Sequence, residues 1–140
     1  MNLERLDHVA IEVTDLDYYV EQLVKTGGMK LLRRATAKRT GTRMAMIGDP
    51  TGVKLELIEN RDAAGGTPRF LHVAFRSDDV DAAARLLMGQ GWKWERGPID
   101  LDEAQARSVL LSDSGGFELQ VLTYQPTSPD IAEWSDDKTG

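Results

Sequence analysis

Leu6-Asp7-His8-Val9-Ala10-Ile11 and Phe70-Leu71-His72-Val73-Ala74-Phe75 are near-copies of one strand-like stretch, set 64 positions apart (72 − 8). The register runs on without an insertion. Asp15 and Asp17 fall on Asp79 and Asp81, Leu23 on Leu87, Gly27 on Gly91, Asp49 on Asp113, Gly52 on Gly116 and Glu56 on Gln120. An internal repeat is sought before anything else because missing one misassigns the whole fold. The chain reads as one short module written twice. The repeat also sets four potential metal ligands, His8, Glu56, His72 and Gln120, at equivalent positions of the two modules.

Within the first module, Leu6 to Val13 reads as a strand. Val9, Ile11 and Val13 point one way and His8, Ala10 and Glu12 the other, since strand side chains alternate. Thr14-Asp15 offers an N-cap. From Leu16 to Lys25 apolar residues recur at helical spacing, and Gly27-Gly28 stops the run as a C′ glycine does. Met29 to Arg34 and Thr42 to Ile47 read as extended, with a polar, basic turn over Ala35 to Gly41. Asp49-Pro50-Thr51-Gly52 is a turn by composition, and Val53 to Ile58 a final strand. The second module repeats the order, with strands at Leu71 to Arg76, Trp92 to Arg96, Arg107 to Ser112 and Phe117 to Thr123 and a helix over Asp79 to Gln90. Each module is β-α-β-β-β. Residues 1–124 form one domain (modules at about 3–60 and 70–124, linked through Asn60 to Arg69), and 125–140 read as a loose, polar tail.

At 140 residues the chain is long enough to bury a core. Its hydrophobic content of 41% and charged content of 29% describe a soluble globular protein. There is no run of roughly 18 apolar residues, so no membrane helix is expected. The strand pattern begins within a few residues of Met1, so no signal peptide is expected. The absence of cysteine excludes disulfides, thiol nucleophiles and thiolate ligands, and a cytoplasmic location is expected. A net charge of −6 argues against a nucleic-acid partner, which calls for a basic footprint.

A duplicated β-α-β-β-β module with His on the first strand and Glu or Gln on the last resembles the vicinal oxygen chelate superfamily, the fold of glyoxalase I, methylmalonyl-CoA epimerase, extradiol dioxygenases and bleomycin resistance proteins. The resemblance covers about Leu3 to Tyr124. Asp7 to Ile11 is similar to the family's first strand, Gly28 to Arg34 to the stretch after the first helix of glyoxalase I, and Asp49-Pro50-Thr51-Gly52 with Glu56 to the family's turn and strand. Three features depart from the pattern: the second turn, Asp113-Ser114-Gly115-Gly116, has no proline; Gln120 stands where a second Glu is usual, with Glu118 two residues earlier on the same face; and the Phe-Tyr pair common in the first helix of glyoxalase I is absent, with Tyr18-Tyr19 slightly earlier. The resemblance implies an α+β fold in which the two modules form a paired, cupped mixed sheet with helices on its convex side. It also implies a homodimer, since many relatives pair.

Imidazole and carboxylate suit one divalent ion: zinc, nickel, cobalt, iron or manganese. The ligand set is His8, Glu56 and His72 with Gln120, or Glu118 in its place. The resemblance implies a lyase or isomerase of the glyoxalase-like type, which abstracts a proton next to a metal-bound carbonyl through an enediolate or enolate. Glu56 is the first candidate for the base and Glu118 the second. The expected partner is a small molecule; the basic residues Arg33, Arg34, Lys38, Arg39 and Arg43 are either a solvated loop or a holder for an anionic substrate tail. Lys54 and Arg76, which share the ligands' strand face, either form rim salt bridges or meet a substrate carboxylate. Two alternatives remain open. A bleomycin resistance-like protein would bind a drug or metabolite without catalysis. A ferrous extradiol-type dioxygenase would use the same two His and one carboxylate but usually needs a further His.

Overall fold

A computed structural model of the chain describes residues 3–62 and 66–131. The first module contributes β1 (Arg5–Val13), α1 (Leu16–Glu21) with a π-helical turn at Gln22–Thr26, β2 (Lys30–Thr36), β3 (Arg43–Gly48) and β4 (Lys54–Glu59). The second contributes β5 (Arg69–Arg76), α2 (Val80–Gly89), β6 (Lys93–Leu101), β7 (Ala106–Ser112) and β8 (Glu118–Tyr124). All eight strands join one mixed sheet in the order β2-β3-β4-β1-β5-β8-β7-β6. This is the α+β fold expected. The second half of that order mirrors the first, with β5 in the place of β1. Strands β1 and β4 run parallel, as do β5 and β8, while β1 and β5 pair antiparallel across the module seam. Both modules of the pair therefore belong to one chain.

The repeat extends to the local chemistry. The Asp15 side chain accepts from the Tyr18 amide at 3.1 Å and the Asp79 side chain from the Ala82 amide at 3.0 Å, so each helix starts on the same cap. Asp49 Oδ1 accepts from the amides of Thr51 and Val53, and Asp113 Oδ1 from those of Gly115 and Phe117. The second turn thus closes without the proline, because the aspartate and the left-handed glycines Gly52 and Gly116 build it.

One face of the sheet carries the apolar contacts. Leu16 and Val20 of α1 pack on Val13, Ala45, Ile47 and Leu57, and Val80, Ala83 and Ala84 of α2 on Val109, Leu111, Leu119 and Val121. The opposite face is left for polar side chains. Pairing of β1 with β5 is irregular at two places, between Leu6 and His8 and between Ala10 and Ile11. The stretch from His8 to Ala10 is regular between them.

Three elements differ from the sequence reading. Strand β6 runs past Arg96 to Leu101 because the strand bends at Gly97 (φ 92°) instead of ending there, with β7 still paired beyond the bend. Of the linker expected at Asn60 to Arg69, β5 takes Arg69, and residues 63–65 lie outside the described residues. The loose tail expected after Tyr124 is docked as far as Ile131. Gln125 donates its amide to the Gln105 carbonyl, and Ser128 and Asp130 are buried. Composition alone made this segment look unanchored, but Ser128 donates to the Ala104 carbonyl and Asp130 accepts from Arg33. Residues 132–140 lie outside the described residues.

Candidate metal centre

Two cross-strand rows build the polar face. In one, Met46 of β3, Glu56 of β4, Ala10 of β1 and His72 of β5 stand side by side. In the other, Leu110 of β7, Gln120 of β8, Ala74 of β5 and His8 of β1 do so. Residues opposite each other in a ladder share a face, so all four candidate ligands face the same side. The residue between each histidine and its acid or amide is a fully buried alanine, Ala10 or Ala74. These small residues leave a floor over which the longer side chains converge. Each row takes its histidine from the other module.

His8 Nε2 lies 3.6 Å and His72 Nε2 3.5 Å from Glu56 Oε1, and the two rings are 5.5 Å apart, centre to centre. Both distances exceed a good hydrogen bond. Among the described residues, His8 Nε2 and His72 Nε2 are buried nitrogens without a hydrogen-bond partner. Ligand atoms of His8, Glu56 and His72 all lie within 4.8 Å of one another. Gln120 donates its amide nitrogen to Ser108 Oγ at 3.0 Å, which leaves its oxygen as the atom for a ligand. Glu118 opens β8 and lies outside the close cluster. Burial by itself would raise the Glu56 carboxyl, but His72, His8 and Arg33 bring it below the ordinary glutamate value.

Behind His8 stands Asp7, a fully buried residue. Its Oδ2 accepts from His8 Nδ1 at 2.7 Å and from the Tyr124 hydroxyl at 2.6 Å, and its Oδ1 from Lys54 Nζ at 2.8 Å and Arg76 Nε at 2.7 Å. Burial opposes the charge on Asp7, yet His8 and Lys54 hold the carboxyl well below the usual carboxylate range. Burial, and then Asp7, push the Tyr124 hydroxyl far up, so it stays protonated and donates. Lys54 and Arg76 both turn to Asp7, Lys54 as a buried side chain and Arg76 as a partly exposed one. The sequence reading gave Asp7 no role. The signal was there in the repeat, because the counterpart of Asp7 is Leu71.

A cleft of about 460 Å³ opens beside Glu56, between Arg33, Met44 and Ile58 on one side and Leu101 to Ala104 on the other. Arg33 Nε and Nη2 donate to the two oxygens of Asp130 at 2.8 and 3.2 Å, joining edge strand β2 to the docked segment after β8. Two further residues of the basic run are also engaged. Arg34 pairs with Asp17, and Arg43 with both Asp17 and Glu59. Trp92 packs against the second helix cluster, while Trp94 is half exposed and donates to the Gly97 carbonyl.

Residues 7–110 match the family model described as the glyoxalase/bleomycin resistance protein/dioxygenase superfamily. The chain belongs to that superfamily, and its sheet is the vicinal oxygen chelate fold. Among solved structures, it resembles a methylmalonyl-CoA epimerase variant of Streptomyces coelicolor in complex with 2-nitronate-propionyl-CoA, with 26% identity, 88% of this chain and 99% of that chain covered, and a TM-score of 0.72. It also resembles the methylmalonyl-CoA epimerase of Mycobacterium tuberculosis, with 28% identity, 86% and 88% covered, and a TM-score of 0.69. A probable chloroplastic lactoylglutathione lyase of Arabidopsis thaliana is 24% identical over 137 residues; this chain spans 38% of its length, and the match takes in 92% of this chain. Among the described residues no helix is long and apolar enough to cross a membrane.

Proposed function

We propose that the chain is a metal-dependent isomerase or lyase that moves a proton from the carbon beside a carbonyl of a small molecule. The convergence of two buried, unpartnered imidazole nitrogens on one carboxylate carries this reading. Buried polar atoms without partners are rare and call for an explanation. Here they sit with a carboxylate over a floor of alanine, and that donor set fits a divalent ion. His8, Glu56, His72 and the Gln120 oxygen would hold it. When bound, such an ion supplies positive charge to a substrate oxygen as the neighbouring C–H is deprotonated.

The remaining work falls to the chain's own side chains. Glu56 is the carboxylate at hand, and its lowered pKa keeps it ionised and able to accept a proton at neutral pH. The cleft beside it holds the body of the substrate. With one carboxylate in the close cluster, a proton taken by Glu56 returns to a neighbouring atom on the same face of the substrate. Epimerisation would need a second base on the opposite face, for which Glu118 is the candidate.

The test combines metal content with proton exchange. Protein purified without a metal-affinity tag should carry a divalent ion that the His8→Ala/His72→Ala variant lacks. In heavy water the loaded protein should place deuterium beside the carbonyl of one member of a panel that includes methylmalonyl-CoA and S-lactoylglutathione, and Glu56→Gln should abolish that exchange. Exchange at the parent rate in Glu56→Gln would remove Glu56 from the role. A second reading has one observation in its favour: the close cluster is two histidines and one carboxylate, the ligand set of ferrous oxygenases. Oxygen uptake with a catechol and ferrous iron would select it.

A further inference from the structure

The four donors on Asp7 match the four acceptor positions of one carboxylate. Two cations, Lys54 and Arg76, and the Tyr124 hydroxyl donate to that carboxylate, and the position left to it accepts from His8 Nδ1, which assigns the ring N–H to that atom. In a neutral imidazole the lone pair then sits on Nε2, the atom that faces Glu56. The other three donors have a common property. Lys54 is on β4, Arg76 on β5 and Tyr124 on β8, and with β1 these are the strands that carry Glu56, His72, Gln120 and His8. One buried carboxylate thus ties together all four ligand-bearing strands and orients one of the ligands.

Nothing equivalent exists in the other module. The repeat places Leu71 opposite Asp7, Glu118 opposite Lys54, Glu12 opposite Arg76 and Asn60 opposite Tyr124. Neither the carboxylate nor the two cations recur, so the centre is asymmetric in its support although symmetric in its ligand positions.

We propose that Asp7 is the positioning residue of the metal centre, fixing the ring and tautomer of His8 and so setting how tightly the chain holds its ion. This rests on the metal reading above. A carboxylate behind a ligating histidine fixes the ring and raises its basicity, and removing such a partner typically lowers metal affinity by about 10- to 100-fold. Tyr124 and Lys54 contact the same carboxylate but not the imidazole, so they contribute to the packing of the hub without aiming His8.

The experiment uses the full chain with Zn²⁺, its Kd read by competition with a chelator of known affinity, and Co²⁺ absorption as a second signal. Asp7→Asn alone strands Lys54, so the test variant is Asp7→Asn/Lys54→Met, beside Lys54→Met and Tyr124→Phe. The double variant should bind Zn²⁺ about 10- to 100-fold more weakly and change the Co²⁺ spectrum. Lys54→Met and Tyr124→Phe should lower the Tm yet keep the parent Kd to within about threefold. A double variant with the parent's affinity overturns the proposal, as does an equal loss in Lys54→Met or Tyr124→Phe, which would make the hub a matter of stability alone. One measurement needs no substitution. The metal-loaded parent should show a downfield, slowly exchanging ring N–H proton of His8, and its absence also overturns the proposal. A parent that binds neither metal refutes the metal reading itself, whereas a parent that binds and a double variant that binds equally refute only the role of Asp7.

Discussion

Asp130→Ala should cost the protein about 3 kcal/mol. The magnitude follows from the surroundings of Arg33. Its side chain is 13% exposed and that of Asp130 1%, and the contact is bidentate. Removing one partner of a buried pair costs about 3–5 kcal/mol, because the other charge is left desolvated. Glu103 remains 3.9 Å from Arg33, but it is 58% exposed, and exposed pairs contribute at most about 1 kcal/mol. That residual partner, with the partial exposure of Arg33, places the loss at the lower end of the range. Urea unfolding followed by circular dichroism reads it directly. With a slope of about 2 kcal/mol/M, the midpoint should fall by about 1.5 M, and the Tm by about 10 °C. Replacing both partners in Arg33→Met/Asp130→Leu should restore most of the loss, since an apolar pair strands no charge. A midpoint shift below about 0.25 M in Asp130→Ala would refute the reasoning, because it would mean that the pair is solvated and the segment after β8 undocked.

Other outcomes follow from the same structure. Leu111→Ala should lower stability by about 3 kcal/mol through a cavity under α2 and leave Zn²⁺ affinity unchanged, because Leu111 faces away from the ligands; a calorimetric Tm beside a chelator competition tests both. A divalent ion at about 100 times its Kd should stabilise the parent by about 2.7 kcal/mol and the His8→Ala/His72→Ala variant not at all, as thermal melts with and without metal would show. Arg43 holds the Glu59 carboxyl down at about 2, from an ordinary 4.5. A depressed carboxylate stabilises the fold above its unfolded pKa, and the contribution is lost as pH falls through the folded one. The stability gap between the parent and Arg43→Gln should therefore be full at pH 7 and close toward pH 2, read from urea midpoints across that range.

The fold was legible because the repeat acts at short range. A strand alternation, an aspartate cap and an aspartate turn each declare themselves within a few residues, and a second copy at a fixed spacing confirms each one. The candidate ligands were legible for the same reason, since one register assigns a row position to His8, Glu56, His72 and Gln120 together. What stayed hidden depends on contacts between distant segments. Arg33 and Asp130 are 97 residues apart, and neither carries a periodic signal. Lys54 and Arg76 read as surface charges because their strand face was known but not the carboxylate buried among them. Asp7 is an intermediate case: its mismatch with Leu71 marked it in the sequence, but only the packing shows what that mismatch serves.

The two irregularities in the β1–β5 ladder bear on how such a duplicated sheet keeps its chemistry. A slip of β1 against β5 by two residues would preserve the alternation of apolar and polar faces, so the core would barely register the error. It would nevertheless carry each imidazole about 6.6 Å from its row partner, well beyond the reach of a shared ion. The bulges before His8 and after Ala10 make that slip costly, since an extra residue in one strand fits a single opposing position. In a protein whose halves are near-copies, one unmatched residue in each strand, Asp7 in β1 and its repeat counterpart Leu71 in β5, keeps the halves in step.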